Sequence, residues 1–245
     1  MKHSAYFFFL LLFLGISCQK EIKPVTIYMI GDSTMANKKP NKAPETGWGQ
    51  VFNQLLTEKA TVDNHAVNGR SSKSFLGENR WKAVLDSLKE GDYVFIQFGH
   101  NDQKTDSARH TTLEEYKLNL EKYVKESHAK KANPILFTSV MRRRFDENGK
   151  FFDTHMGYPD AVREVAKELN VPLIDLHKKT EELIVSMGEE ESKKLFLILK
   201  PRESENYPDG REDNTHFQTY GALEVAKLTA ASIREQNLPL AAYLK

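Results

Sequence analysis

The chain has 245 residues, enough to bury a sizeable core within one α/β domain. Thirty-five Lys and Arg stand against 34 Asp and Glu, a formal net charge of +1, so nothing suggests the concentrated basic face that nucleic-acid binding needs. Hydrophobic residues at 40% and a mean hydropathy of −0.56 describe an ordinary soluble protein.

The first residues depart from that average. Met1-Lys2-His3 is a short basic start, and residues 6–13 form an unbroken aromatic and leucine run. That run is too short to span a bilayer and reads as the apolar core of a secretory signal. It ends in Leu14-Gly15-Ile16-Ser17-Cys18, where Cys18 is the only cysteine in the chain. A small residue before a lone cysteine, right after a signal core, resembles a bacterial lipoprotein cleavage site, although Gly15 stands where such sites usually carry leucine. The expectation is a signal peptide over residues 1–17, lipidation of Cys18, and one domain over residues 18–245. The protein would then be exported and held to a bacterial envelope, periplasmic or surface-facing, by a lipid anchor only. A plain signal peptide cleaved nearby, giving a secreted protein, is the alternative. With Cys18 so used, no disulfide, catalytic thiol or cysteine-ligated metal remains.

Strand-like apolar runs recur at residues 25–30, 60–67, 93–98, 134–140 and 171–176. Helix-period segments fall between them. Residues 49–59 carry Val51, Phe52, Leu55 and Leu56 at helical spacing, and residues 81–89 carry Trp81, Val84, Leu85 and Leu88. Residues 112–129 open on the capping pattern Thr112-x-x-Glu115, and residues 158–169 and 220–234 are further amphipathic stretches. Strands alternating with helices imply βαβ units and a parallel sheet covered on both faces. Two segments break the alternation: residues 141–156, with Arg142-Arg143-Arg144, and the polar, turn-rich residues 199–213. Loops of this length are often binding loops, and both leave the C-terminal edge of the predicted sheet, where open α/β sheets bind ligands.

Four blocks fall at that edge. Gly31-Asp32-Ser33-Thr34 follows the first run, Asn68-Gly69-Arg70-Ser71 the second, and Gly99-His100-Asn101-Asp102 the third, while Asp213-Asn214-Thr215-His216 precedes the last helix. Each has an ordinary structural reading. Ser33, Asn101 and Asp102 are suitable helix caps, Gly69 a left-handed turn, and His216 a core histidine bonded to a carbonyl. Together they supply a nucleophilic site. A serine hydroxyl needs a base, and that histidine needs a third group to fix its tautomer. Asp213 and His216, three residues apart across a turn, can pair and swing the imidazole toward Ser33. The Ser33 amide, the Gly69 amide and the Asn101 side chain can then receive the oxyanion. No G-x-S-x-G elbow and no H-E-x-x-H helix competes.

On these blocks the chain resembles the SGNH, or GDSL-like, hydrolase superfamily. The resemblance implies a three-layer α/β/α fold, flavodoxin-like, with a parallel five-stranded sheet in the order 2-1-3-4-5. It implies the catalytic set Ser33, Asp213 and His216 and the oxyanion set Ser33, Gly69 and Asn101. Gly31 to Met35, Thr46-Gly47-Trp48-Gly49, Asn68 to Ser71, Phe98 to Asp102 and Asp213-x-Thr215-His216-Phe217 are further similar to the rhamnogalacturonan acetylesterase group of carbohydrate esterases.

The expected activity is therefore a serine acyl-enzyme esterase removing O-acetyl groups from pectin-type polysaccharide, without metal or organic cofactor and as a monomer. Esterases for xylan, another acetylated glycan, or a short-chain lipid or aryl ester share the chemistry. A non-catalytic glycan-binding surface lipoprotein is the rival of another class, and an intact serine, aspartate and histidine set argues against it. Galacturonate-bearing pectin is anionic, so Arg70, Arg142 and Arg143 are candidate substrate contacts, and Trp48 or Tyr158 could stack on a sugar ring. A solvated basic face and core aromatics are the alternatives. His65, His100 and His155 read as packing or supporting residues.

Overall fold

Period-two alternation along three strands decides how the molecule is layered. The computed structural model describes residues 22–105 and 108–245. In it, β1 (Val25–Gly31) is followed by helix α1 (Trp48–Phe52) and β2 (Ala60–Asn64). Helices α2 (Ser72–Gly77) and α3 (Arg80–Ser87) lead into β3 (Tyr93–Gln97), α4 (Leu113–Ala129) into β4 (Asn133–Phe137), and α5 (Tyr158–Glu168) into β5 (Leu173–Ile174). Then come α6 (Leu176–Glu191), the strands β6 (Phe196–Leu199) and β7 (Arg211–Phe217), and α7 (Thr219–Glu235). Strands β1 to β5 pair in parallel in the order β2-β1-β3-β4-β5, as the resemblance implies.

Successive side chains on a strand point to opposite faces. Ile27, Met29, Phe95, Ile135 and Phe137 share one core with Trp48, Val51 and Phe52 of α1 and Val225 and Ala226 of α7. Tyr28, Ile30, Val94, Ile96 and Leu136 share the other with Trp81 and Val84 of α3, Tyr116 and Tyr123 of α4, and Val162 and Val165 of α5. The sheet is thus covered on both faces. That is why β3, its middle strand, is buried at every position, whereas the edge strand β2 alternates. The Thr112 pattern caps α4 as expected. Its hydroxyl accepts from the Glu115 amide at 3.1 Å, and the Glu115 carboxylate accepts from the Thr112 amide at 2.9 Å.

Three expectations change. The predicted strand over residues 171–176 shrinks to β5 because Pro172 has no donor and the Asp175 side chain caps α6, ending extended backbone after Ile174. The helix expected over residues 49–59 stops at Phe52 and passes into a 3₁₀ turn at Asn53–Leu55. Residues 199–213 are not one loop: β6 and β7 form an antiparallel pair, with a turn-rich connection over residues 200–210. The expected signal segment, residues 1–17, and the expected lipidation site Cys18 lie outside the described residues. Among the described residues no helix is long and apolar enough to cross a membrane.

Candidate active site

β1 ends in Gly31, and the chain turns at once to present Ser33. The turn is held from below. Asp32 is fully buried, and its Oδ1 accepts from both the amide and the hydroxyl of Thr34, each at 2.9 Å. This local Asx geometry bends the backbone and leaves the Ser33 side chain on the open side.

Ser33 Oγ lies 2.8 Å from His216 Nε2, and His216 Nδ1 lies 2.8 Å from Asp213 Oδ2. A carboxylate only accepts, so Nδ1 carries the hydrogen and Nε2 is free to accept the Ser33 proton. The Asp213–His216 pairing does not arise at a simple turn, as the spacing suggested. Both residues lie on β7, where Asp213 pairs with Leu197 and Phe217 with Phe196, so residues 214–216 bulge out of register. Asp213 Oδ1 accepts from the amides of Thr215 and His216 at 2.9 and 3.0 Å, closing the bulge and setting the imidazole over its own Oδ2. Burial would raise the Asp213 carboxyl. The bond and charge of His216 and the two amides outweigh it and hold Asp213 well below the usual carboxylate range.

The other two blocks frame the space in front of Ser33. Gly69 adopts φ +76°, a left-handed conformation that suits glycine, and neither its amide nor that of Ser33 has an acceptor among the described residues. The Asn101 Nδ2 donates one hydrogen to Arg70 O at 3.0 Å, which fixes the side chain beside the Gly69 turn and leaves its second N–H available. Asp102 ties the blocks together from inside. Its carboxylate accepts from Ser72 N at 2.9 Å, Ser72 Oγ at 2.5 Å and Gly99 N at 3.1 Å. Burial dominates there and pushes its carboxyl up to about 7. Gly99 has φ +135°, and a Cβ on it would meet Ser139 Oγ at 2.3 Å.

Three expected substrate contacts prove to be supports instead. Trp48 is fully buried and donates from Nε1 to Gln97 Oε1 at 2.9 Å, beneath the Thr34 hydroxyl, so it cannot stack on a sugar. Tyr158 is buried among α4 and α5, its hydroxyl donating to the carbonyls of Thr111 (2.5 Å) and Asp102 (3.2 Å). Arg143 is buried and donates to Glu189 O, Ser192 Oγ and Asn214 Oδ1, while its amide donates to Asn214 O at 2.8 Å. It braces the β7 bulge rather than facing ligand. Arg142 and Arg70 stay partly exposed. Arg142 donates to Thr154 Oγ1 at 3.0 Å, and Arg70 bonds Glu78 at 3.1 Å and Asn68 O at 2.9 Å, next to Gly69.

Behind Ser33 runs a chain of acids and imidazoles, buried at Asp32, His100, His155 and His177 and exposed at Asp153, whose length the sequence did not disclose. Asp32 Oδ2 and His100 Nδ1 face each other at 3.5 Å, and neither has a nearer partner. At that separation the two interact chiefly through charge. Burial alone would raise Asp32, but His100 and the Thr34 donors outweigh it and hold the carboxyl at about 2. His100 Nε2 lies 2.9 Å from Val140 O, so it carries hydrogen, and His155 Nε2, also at 2.9 Å, accepts from it. His155 Nδ1 then donates to Asp153 Oδ1 at 2.6 Å, and His177 Nε2 lies 3.1 Å from Asp153 Oδ2. Burial brings the His155 imidazole down to about 3. Asp153, His155 and His177 offer ligand atoms within 4.8 Å of one another, the spacing of a metal site. However, Arg163 Nη2 lies 3.4 Å from His177 Nδ1 and can only donate, which leaves the proton on Nε2 facing Asp153. Hydrogen bonding accounts for this cluster without a cation.

Comparison with known proteins gives the arrangement its relatives. The chain is 48% identical over 223 residues to rhamnogalacturonan acetylesterase RhgT of Bacillus subtilis, covering 91% of this chain and 95% of that protein. It is 39% identical over 216 residues to the probable rhamnogalacturonan acetylesterase YesY of the same organism, covering 87% and 94%. Among solved structures, the Bacillus subtilis protein YXIM superposes with a TM-score of 0.75 at 26% identity, over 89% of this chain and 58% of that one. Axe2, an acetylxylan esterase from Geobacillus stearothermophilus, superposes at 0.64 with 19% identity over 87% and 96%, a likeness of fold. The model of the GDSL-like lipase/acylhydrolase family matches residues 29–221, a span that contains Ser33, Gly69, Asn101, Asp213 and His216. The chain belongs to the GDSL-like lipase/acylhydrolase family.

Proposed function

We propose that this protein is a serine esterase that removes O-acetyl groups from a plant cell-wall polysaccharide, rhamnogalacturonan in particular. The observation that carries the chemistry is the unbroken line Ser33–His216–Asp213, 2.8 Å at each step, next to two backbone amides that have no acceptor among the described residues. Family membership and the 48% identity to a rhamnogalacturonan acetylesterase support the substrate.

In this reading Ser33 Oγ attacks the acetyl carbonyl carbon as its proton passes to His216 Nε2. The amides of Ser33 and Gly69 and the second N–H of Asn101 receive the oxyanion. Collapse breaks the bond to the sugar oxygen, which takes the proton from His216 and leaves an acetyl-Ser33 ester. Water then attacks, His216 takes one of its protons and returns it to Ser33 Oγ, and acetic acid departs, giving its remaining proton to solvent as acetate. Atoms and protons balance with no cofactor. Arg70 and Arg142, both partly exposed, are the guanidinium groups we assign to an anionic glycan. On residues 1–18 alone we also propose export and lipid anchoring at Cys18; mass spectrometry of the mature N-terminus tests that.

The test of the main reading is acetate release from acetylated rhamnogalacturonan, acetylated xylan and an aryl acetate, by wild type and Ser33→Ala. We expect the highest kcat/KM on rhamnogalacturonan and none above background in the variant. A preference for xylan overturns the substrate; turnover by Ser33→Ala overturns the nucleophile.

A further inference from the structure

Lys38 belongs to the run Lys38-Lys39-Pro40, which reads as solvated surface, yet its side chain is only 2% exposed. Its ammonium has three N–H donors, and three acceptors surround it: Ser33 O at 2.6 Å, Asn68 Oδ1 at 2.9 Å and Glu45 Oε1 at 2.7 Å. Its own backbone amide is fixed by Gln50 Oε1 at 2.8 Å. Burying a flexible ammonium costs desolvation and rotamer entropy, so a lysine pulled into this place needs a compensating arrangement. Glu45, 12% exposed, supplies the opposite charge.

The identity of the other two acceptors gives the contact its meaning. Ser33 O belongs to the residue whose amide is one oxyanion donor. Asn68 is the residue directly before Gly69, whose amide is another. The two turns follow different strands, β1 and β2, and Lys38 crosses between them. Glu45 joins a third segment, because Thr46 next to it donates its amide to Phe217 O at 2.9 Å, beside His216. One ammonium therefore touches the nucleophile turn and the glycine turn, and reaches the histidine strand through Glu45.

Resting on the esterase reading above, we propose that Lys38 is a positioning residue that sets the spacing of the Ser33 and Gly69 amides and so the width of the oxyanion hole. Donors aimed at a developing charge act only when preorganised, and a misplacement of about 1 Å can cost roughly 10²-fold. Loss of the ammonium should therefore lower kcat and leave substrate binding nearly as it was.

The experiment compares wild type, Lys38→Met, Lys38→Ala and Asn68→Ala on an aryl acetate, with unfolding midpoints measured in parallel. We expect kcat of Lys38→Met to fall by roughly 10²-fold, the loss cited for such a misplacement, with KM within about twofold. Propylammonium should restore at least about tenfold of the activity of Lys38→Ala, while a trimethylated ammonium of equal charge but no N–H should restore none. A lysine that merely stabilised the loop would not distinguish the two amines. Asn68 is exposed, so its replacement by alanine leaves the fold intact even if the lysine variants fail to fold, and should lower kcat by about tenfold, less than loss of the whole ammonium. Unchanged kcat in folded Lys38→Met, or in Asn68→Ala where the lysine variants do not fold, overturns the proposal, as does equal rescue by both amines. Wild type without turnover on any acetate would instead overturn the esterase reading, and this inference with it.

Discussion

Two aspartate–histidine pairs flank Ser33, and they differ in almost everything except composition. His216 and Asp213 meet at 2.8 Å in side chains 27% and 13% exposed, and the far imidazole nitrogen reaches the Ser33 hydroxyl. His100 and Asp32 face each other at 3.5 Å in side chains 4% and 1% exposed, and the far nitrogen is taken by Val140 O and His155. A general base needs a nitrogen that can accept a proton and a route for that proton to leave. The first pair has both and the second has neither. For the roles we propose, burial and occupancy of the second nitrogen therefore separate the two histidines, and the nearness of an aspartate does not.

The sharpest break between the pairs is kinetic. His216→Ala should lower kcat by roughly 10⁴-fold or more, with the urea unfolding midpoint unchanged, because the imidazole sits at an open bulge. His100→Ala should do the reverse. Removing one partner strands the Asp32 carboxylate in the core, and we expect a stability loss of about 3–5 kcal/mol. Activity per folded molecule should drop by less than about tenfold, since no reacting atom is touched. Equal kinetic losses in both variants, with equal stability, would erase the distinction.

Asn101→Ala tests the front of the site from the other side. Loss of one oxyanion donor should lower kcat by roughly 10²–10³-fold, less than loss of the base. It also frees Arg70 O of its partner, so KM and stability should be followed. A wild-type kcat would remove Asn101 from the hole.

Much of this was legible in the sequence because chemistry sits where patterns end. Ser33, Gly69 and Asn101 each follow an apolar run, and the parallel order of the sheet gathers such ends at one edge. The hairpin that carries Asp213 and His216 was not legible. Arg211 to Phe217 is polar along six of its seven residues, with no alternation to mark a strand, although Phe196 to Leu199 is apolar and could have marked its partner. Trp48, Tyr158 and Arg143 were misread for one reason: an amphipathic side chain can satisfy its polar end inside the protein as well as on a ligand. Gln97, a lone amide ending the apolar strand β3, was the available hint that an indole N–H had an internal partner. Lys38 had no hint at all, since its acceptors come from the Ser33 turn, the Asn68 turn and Glu45, brought together only by folding.

The smallest effect expected is thermodynamic and belongs to the buried pair. Asp32 is held at about 2 in the folded protein against an ordinary 3.8. A depressed carboxyl contributes stability that is fully present above its unfolded value and lost as pH falls through the folded one, here between about 4 and 2. The shift corresponds to about 2 kcal/mol. Other carboxylates titrate over the same range, so the wild-type profile alone would not isolate it. Urea midpoints of wild type and Asp32→Asn, measured from pH 5 down to 2.5, share every other acid. The amide keeps an oxygen for the Thr34 donors but cannot ionise. The stability gap between the two proteins should therefore narrow toward acid pH, beginning near pH 4 and smallest at the deepest acid. Parallel profiles would mean that Asp32 and His100 already share a neutral proton arrangement near pH 5. The back of the nucleophile turn would then be braced by hydrogen bonding alone, and the contrast with the charged Asp213–His216 pair would become one of charge as well as of exposure.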